Sequence, residues 1–439
     1  MAGTDVDCGA LAAEPTTERS PSFVRAAVRE QARIVRIRPR APLALVLRVT
    51  RWWAATVLRE SGPHLIAAGI AALAALRVLG VRGRVSAMLR GLAVIGTAWE
   101  ARNAWLAHRS TIRIDAALEG LEPEAGVPRV PRAHLAIPPL MFVTREVRRE
   151  RGLVFAEVDG TRLRLDVYRS AAASAGGGPR PAVIQVHGGG WFAGSRYEQG
   201  IPLLNHLAQI GWTGFNIDYR LSPEATFPDQ IVDVKRAIAW VRSNAGRLGI
   251  DPGMICITGG SAGGHLTALA GLTENAPEYQ PGFEGADTSL AAAVPFYGVY
   301  DFTNAGGFYY AGMRDWVLEQ VVFKRRYADA PGLFRAASPS FRVHAGAPPF
   351  LVIHGERDTL VPVADARDFV ARLRAVSRQP VRYIELPAAE HAFDLWPSER
   401  TARVAEGIGR FLQAVARGGG SQPPGTTRPQ PGPLAEAPE

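Results

Sequence analysis

Cysteine is nearly absent. Cys8 and Cys256 are the only two in 439 residues, which excludes a disulfide framework and a cysteine zinc site. Lysine is equally scarce: Lys235 and Lys324 stand against 48 arginines, a bias that fits an Arg- and Ala-rich coding background. No apolar run reaches the roughly 20 residues a bilayer-spanning helix needs; Leu65–Leu76 is broken by Arg77. The first 20 residues carry Asp5, Asp7, Glu14 and Glu18 and lack the basic start and apolar stretch of a cleavable signal peptide. There is no HExxH or Cys/His cluster, no P-loop and no dinucleotide fingerprint, so neither a metal nor a cofactor is expected. Internal repeats are missing too.

What is present suits a packed protein. With 47% hydrophobic and 21% charged residues, the chain can bury a core, so global disorder, a collagen-like fibre and a many-pass membrane protein are excluded. Its length suggests two or three units.

The net charge of +9 is not spread evenly. Residues 1–110 hold 16 Arg against 7 Asp plus Glu, whereas residues 111–439 hold 34 basic and 34 acidic residues. A basic, apolar first quarter points to a membrane surface rather than to nucleic acid. From Phe23 to Glu60 arginines recur among apolar residues (Arg25, Arg29, Arg33, Arg36), followed by Trp52 and Trp53. Helical spacing would place many of them on one face, facing either lipid headgroups or solvent. A window over Ser61–Gly83 puts Arg77 and Arg82 near one end, and Val85–Trp99 is a second apolar stretch with Arg90 in its middle. Interfacial or hairpin attachment, a true span and a buried helical unit all fit this pattern. The expectation carried forward is membrane association through residues 23–110, with a cytoplasmic location otherwise.

The texture changes near Leu153. Two runs of period-two alternation flank Asp159-Gly160 and read as a β-hairpin. After the low-complexity loop AAASAGGGPRP, short apolar strands alternate with helical patterns as far as residue 416. That rhythm argues for an α/β fold with a mostly parallel sheet covered on both faces. The expected division is a disordered N-terminus (1–22), a basic apolar helical region (23–110), a linker or cap segment (111–150), an α/β domain (151–416) and a disordered Gly/Pro-rich tail (417–439). Residues 303–345 interrupt the rhythm and carry Phe308, Tyr309, Tyr310, Trp316, Phe323, Tyr327 and Phe334. They are the candidate cap, with 131–150 as a second candidate segment.

Gly259-Gly260-Ser261-Ala262-Gly263 lies directly after the apolar strand MICIT and before a helical segment. In that setting G-x-S-x-G makes a sharp turn that lifts a serine hydroxyl above the sheet. Upstream, His187-Gly188-Gly189-Gly190-Trp191 follows the strand AVIQV, where glycines let backbone N–H groups approach an oxyanion. A serine nucleophile needs a base and an acid to orient that base. Of nine histidines, His391 follows the last strand in a short loop, while His187, His265 and His354 have structural readings. Asp358 follows the strand FLVIHG, with Glu356 and Asp301 as competing acids. Serine, acid, histidine is the chain order of α/β-hydrolases.

Five motifs in order, HGGGW, DYRLSPEATFP, GGSAGGH, HGERDTLVP and EHAF, make residues 150–415 resemble the hormone-sensitive-lipase-like branch of the α/β-hydrolases. The long form, with its basic apolar extension, resembles the Lip-type esterases of actinobacteria. The resemblance implies an α/β-hydrolase fold and a serine carboxylesterase or lipase acting on small-molecule or lipid esters without a cofactor. It implies Ser261 as nucleophile, Asp358 as acid, His391 as base, and the backbones of Gly189, Gly190 and Ala262 as oxyanion donors. Trp191 is a candidate substrate contact or a packing residue, and Arg220 with Glu224 is expected to tie down its loop. Two positions depart from the family pattern: Gly260 stands where many members carry Asp, and His265 where they carry Asn. An amidase or arylformamidase on the same machinery, a non-catalytic binding module, and an N-terminal quarter that remodels membrane or binds nucleic acid are the alternatives. Oligomeric state is open.

Overall fold

The computed structural model describes residues 43–60, 69–71, 73–75, 77–80, 83–121, 129–130, 144–172, 178–310, 312–396 and 398–418. The expected disordered N-terminus, 1–22, lies outside these residues, as do all of the expected tail 417–439 but Arg417 and Gly418, the stretch 131–143 and part of the window 61–83. All described residues belong to one compact unit, Arg40–Glu439.

An eight-stranded sheet organises this unit. Its strands are β1 (Val147–Val158), β2 (Thr161–Ser170), β3 (Arg180–Val186), β4 (Thr213–Ile217), β5 (Ile250–Gly260), β6 (Ala292–Phe296), β7 (Phe350–Gly355) and β8 (Val381–Leu386), in the spatial order β1-β2-β4-β3-β5-β6-β7-β8. The β1–β2 hairpin turns at Asp159 and Gly160, both at positive φ, and β2 meets β4 antiparallel. Every later pairing is parallel. This is the α/β-hydrolase fold.

Period-two alternation divides the interior into two clusters, one on each face. From β3, β6 and β7, residues Ile184, Ala293 and Val352 point to the first, and Val183, Val294 and Leu351 to the second. The first cluster is covered by α4 (Asp229–Ser243), the short α5 (Ala245–Leu248), α6 (Ala262–Leu272) and α8 (Val363–Val376), which send in Ile231, Leu248, Leu266 and Phe369. The second is covered by α3 (Ile201–Gln209) and α9 (Glu399–Ala416), through Leu204 and Ile408, and by the end of α2 (Arg84–Ala117), through Ile114. Gly407 in α9 gives Ile114 its seat, because a Cβ there would lie 2.7 Å from Ile114 Cγ2.

The segment 303–345 folds as a π-helix, Met313–Val322, and the helix α7 (Pro331–Ala337). Its aromatics Tyr309, Trp316, Phe323 and Phe334 are buried in the first cluster, so most of the aromatic content is core. Within residues 23–110, the described parts include α1 (Leu43–Glu60) and α2, which runs past 110. Strand β1 begins at Val147, within the segment expected to be linker or cap. Among the described residues, no helix is long and apolar enough to cross a membrane.

Candidate active site

Strand β5 ends at Gly260 and α6 begins at Ala262, leaving Ser261 alone on the turn with φ 58° and ψ −120°. This left-handed conformation is costly for a residue with a Cβ and persists only where the surroundings impose it. Here they do: Ser261 N–H donates to the Phe296 carbonyl at 3.0 Å, and the Ser261 carbonyl accepts from His265 N–H at 2.9 Å. The motif glycines allow the close approach. A Cβ on Gly263 would sit 2.2 Å from the Val186 carbonyl oxygen, and one on Gly259 would sit 2.6 Å from the same atom.

Ser261, His391 and Asp358 are brought together from three loops at the C-terminal ends of β5, β8 and β7. Ser261 Oγ lies 2.9 Å from His391 Nε2, and His391 Nδ1 lies 2.6 Å from Asp358 Oδ2. The other carboxylate oxygen, Oδ1, accepts Leu360 N–H and Val361 N–H at 2.9 and 2.7 Å. Burial alone would raise the Asp358 carboxyl. His391 and His354 overcome burial by charge and hydrogen bonding, and hold the group down at about 2. His354 takes part directly, its Nε2 lying 2.9 Å from the Val361 carbonyl and 3.3 Å from Asp358 Oδ2. The competing acids are engaged elsewhere: Glu356 accepts from Ala388 N–H, and Asp301 from Thr303 and Ala305 N–H.

The glycine loop after β3 turns back beside this line. Gly189 has φ 114° and Gly190 φ 61°, and a Cβ on Gly189 would collide with the Ala193 carbonyl at 2.0 Å. Gly188 N–H is committed to the Gln199 side chain, whereas Gly189 and Gly190 N–H meet no acceptor among the described residues. Ala262 opens α6, so its N–H is one of the helix's unpaired first-turn donors.

Trp191 is only 2% exposed, and its indole N–H donates to His265 Nδ1 at 3.1 Å. The opposite ring nitrogen of His265 reaches the Ala337 carbonyl at 2.8 Å, and burial pushes this imidazole down to about 4, so it stays neutral. The packing reading of Trp191 is thus the one its surroundings support. Together Trp191, His265 and Ala337 link the glycine loop, the elbow helix and α7. Arg220 does tie down its loop, but through Asp233, Asp229 and Asp159, at 2.8–3.3 Å; Glu224 is exposed and is not among its partners.

Some residues at the site escaped the sequence reading. Tyr297 lies with its ring 4.6 Å from His391, and its hydroxyl donates to Asp394. It also explains Gly260, where a Cβ would lie 2.6 Å from the Tyr297 hydroxyl oxygen. Asp394 stands three residues after His391 in the same motif-bearing loop, a signal that was available. Trp52 and Thr56 of α1 reach the His391 carbonyl, which no local pattern predicts.

Such a sheet, with a serine on the turn after β5 facing a histidine and an aspartate from later loops, defines the class as α/β-hydrolase. The family model described as BD-FAE matches residues 165–373. The chain is 50% identical to Esterase LipQ of Mycobacterium tuberculosis over 57% of its own length and 59% of the relative. It is also 50% identical to the probable carboxylic ester hydrolase LipM of that organism, over 56% of this chain and 57% of the relative. The chain thus spans less than two thirds of the curated relatives it matches. Among solved structures, Thermogutta terrifontis esterase 2 phosphonylated by sarin aligns at 25% identity and a TM-score of 0.53, covering 62% of this chain and 96% of that one. A truncated carbohydrate esterase from gut microbiota, at 22% identity and TM-score 0.53, covers 67% of this chain and all of the other, and supports the fold. The similarity to hormone-sensitive-lipase-like bacterial carboxylesterases, carried in the sequence by five motifs, is the one these relatives return.

Proposed function

We propose that the protein is a serine carboxylesterase or lipase. The observation that carries this reading is the hydrogen-bonded line from Ser261 through His391 to Asp358. With Nδ1–H directed to Asp358, the imidazole presents a lone pair at Nε2 to the serine hydroxyl. Ser261 Oγ attacks the ester carbonyl while Nε2 takes its proton, and the Asp358 anion stabilises the imidazolium. The N–H groups of Gly189, Gly190 and Ala262 receive the developing oxyanion; one such donor is worth roughly 2.7–4 kcal/mol in known hydrolases. Collapse of the tetrahedral intermediate expels the alcohol, protonated by His391. A water activated by the same base then releases the acid from Ser261.

Naming of relatives as esterases supports ester hydrolysis, and the phosphonylated neighbour supports a nucleophile open to phosphorus electrophiles. The substrate in this reading is a small-molecule or lipid ester. The arginine-rich N-terminal quarter and the exposed apolar residues of α1 and α2 support docking on a membrane surface.

The test compares wild type with Ser261→Ala for labelling by a fluorophosphonate probe and for hydrolysis of p-nitrophenyl esters of increasing chain length. Wild type labels and turns over. The variant loses the label and at least ~10³-fold in kcat. Undiminished turnover by the variant overturns the reading.

A further inference from the structure

The loop that carries His391 is held in an unusual shape. Ala388 and Ala392 both lie at left-handed φ, 54° and 55°, a region alanine occupies only under constraint. Part of the constraint comes from within the hydrolase core: Arg357 N–H donates to the Ala389 carbonyl at 3.0 Å, and Thr359 N–H to the Glu390 carboxylate at 2.6 Å. The carbonyl of His391 itself, at the peptide entering strained Ala392, is held from far away in sequence. Its donors are the Trp52 indole N–H at 2.8 Å and, more weakly, the Thr56 hydroxyl at 3.4 Å, both on α1.

These contacts belong to a fixed element. Thr56 is 2% exposed, and Trp52 packs against the second core cluster with its ring edge-on to the His391 imidazole, 6.0 Å between centroids. Four residues earlier, Arg48 donates to the Thr359 carbonyl at 2.8 Å and covers the Tyr310 ring. At its far end α1 is anchored by the buried Glu60–Arg400 pair. One helix from the N-terminal basic region therefore grips both the base's own carbonyl and the residue following the acid.

We propose that Trp52 is a positioning residue for the reaction, its indole N–H fixing the 391–392 peptide and hence the angle at which the imidazole meets Ser261. Without that donor the loop relaxes away from the left-handed conformation at Ala392. Nε2 then leaves its 2.9 Å alignment with Ser261 Oγ. The α1 helix is in this sense a part of the active site supplied from outside the hydrolase core. The inference rests on the Ser261–His391–Asp358 reading.

The experiment uses the full chain with Trp52→Phe, which keeps an aromatic ring against the core and removes the N–H, and Trp52→His, which restores a ring donor. With p-nitrophenyl butyrate, Trp52→Phe lowers kcat by ~10–100-fold, the range expected for a misplaced catalytic group, and leaves KM within about twofold. Labelling of Ser261 by the fluorophosphonate slows in parallel. Trp52→His recovers part of the loss at an unchanged unfolding midpoint. A folded Trp52→Phe protein with wild-type kcat and labelling rate overturns the positioning role while leaving the esterase reading intact. Wild type that neither labels nor turns over removes both. If Trp52→Phe does not fold, Thr56→Val is read in the same assays: a smaller fall in kcat at constant KM supports the proposal, and unchanged kcat overturns it.

Discussion

Two buried aspartates near the catalytic line are treated oppositely by their surroundings. Asp358 is held down at about 2 by His391 and His354 against its burial, so it is an anion at neutral pH. Asp365, at the start of α8, is pushed up to about 7 by burial, against the Tyr309 hydroxyl and Tyr300 N–H that favour its charged form. Its Oδ1 has no hydrogen-bond partner among the described residues. The folded state keeps the Asp365 proton up to about pH 7, while the unfolded chain releases it near 3.8. Between those values the native state binds more protons, so stability falls as pH rises, by up to about 1.4 kcal/mol per unit. Asp365→Asn removes this contribution: urea midpoints at pH 4, 5.5, 7 and 8 should show a flatter pH dependence in the variant, and parallel curves would sink the argument. At this scale Ser261, Asp358 and His391 were legible because each follows a recognisable strand in a motif of fixed order. Gly260 was legible only as a departure. Its cause is Tyr297, a residue on the neighbouring strand's exit that no spacing connects to it.

At the scale of elements, one arginine joins the N-terminal helices to the catalytic loop. Arg400 at the start of α9 pairs with Glu60 of α1, and also donates to Ser110 Oγ of α2 at 3.3 Å and to the Pro387 carbonyl at 3.4 Å. Both charged side chains of the pair are at most 4% exposed. Glu60→Ala breaks a buried ion pair while leaving the arginine in place, and should cost about 3–5 kcal/mol in urea unfolding. The double change Glu60→Met with Arg400→Met should recover most of that cost, since two apolar side chains strand no charge. Equal losses in the single and double variants would mean that Arg400 acts through Ser110 and Pro387 instead. The strands and the helices α4, α6, α8 and α9 could be read from local periodicity, because each buries one face of a regular pattern. The packing of α1 could not: its amphipathic arginine pattern is compatible with lipid, solvent or protein, and its partners lie more than 300 residues away. The aromatic segment 303–345 was legible only in part, since a run of aromatics signals burial without saying beneath what.

Across the whole molecule, charge and exposed apolar surface gather at the same end of the sequence. The first 110 residues carry the entire net charge of +9. In α2, Met88, Leu92, Ile95 and Trp99 are each at least 40% exposed, and their spacing of four, three and four residues sets them on one helical face. On α1, Leu43, Val46, Leu47 and Trp53 are also exposed, while Trp52 and Thr56 of the same helix hold His391. An apolar stripe among arginines suits the boundary of an anionic bilayer, where apolar burial and headgroup attraction add. Binding through both terms has a distinct signature. The full chain should sediment with phosphatidylserine-containing vesicles at low salt, lose most of that binding above ~0.5 M salt as screening shortens the reach of charge, and ignore purely zwitterionic vesicles. Replacing Met88, Leu92, Ile95 and Trp99 by serine should weaken vesicle binding at least tenfold while the hydrolysis of soluble p-nitrophenyl esters stays unchanged, because none of the four touches the catalytic line. Vesicle binding that survives this substitution would place the docking surface elsewhere. Binding to duplex DNA at equal strength would reduce the N-terminal charge to a general affinity for polyanions, since DNA offers the charge without an apolar layer for the stripe to enter.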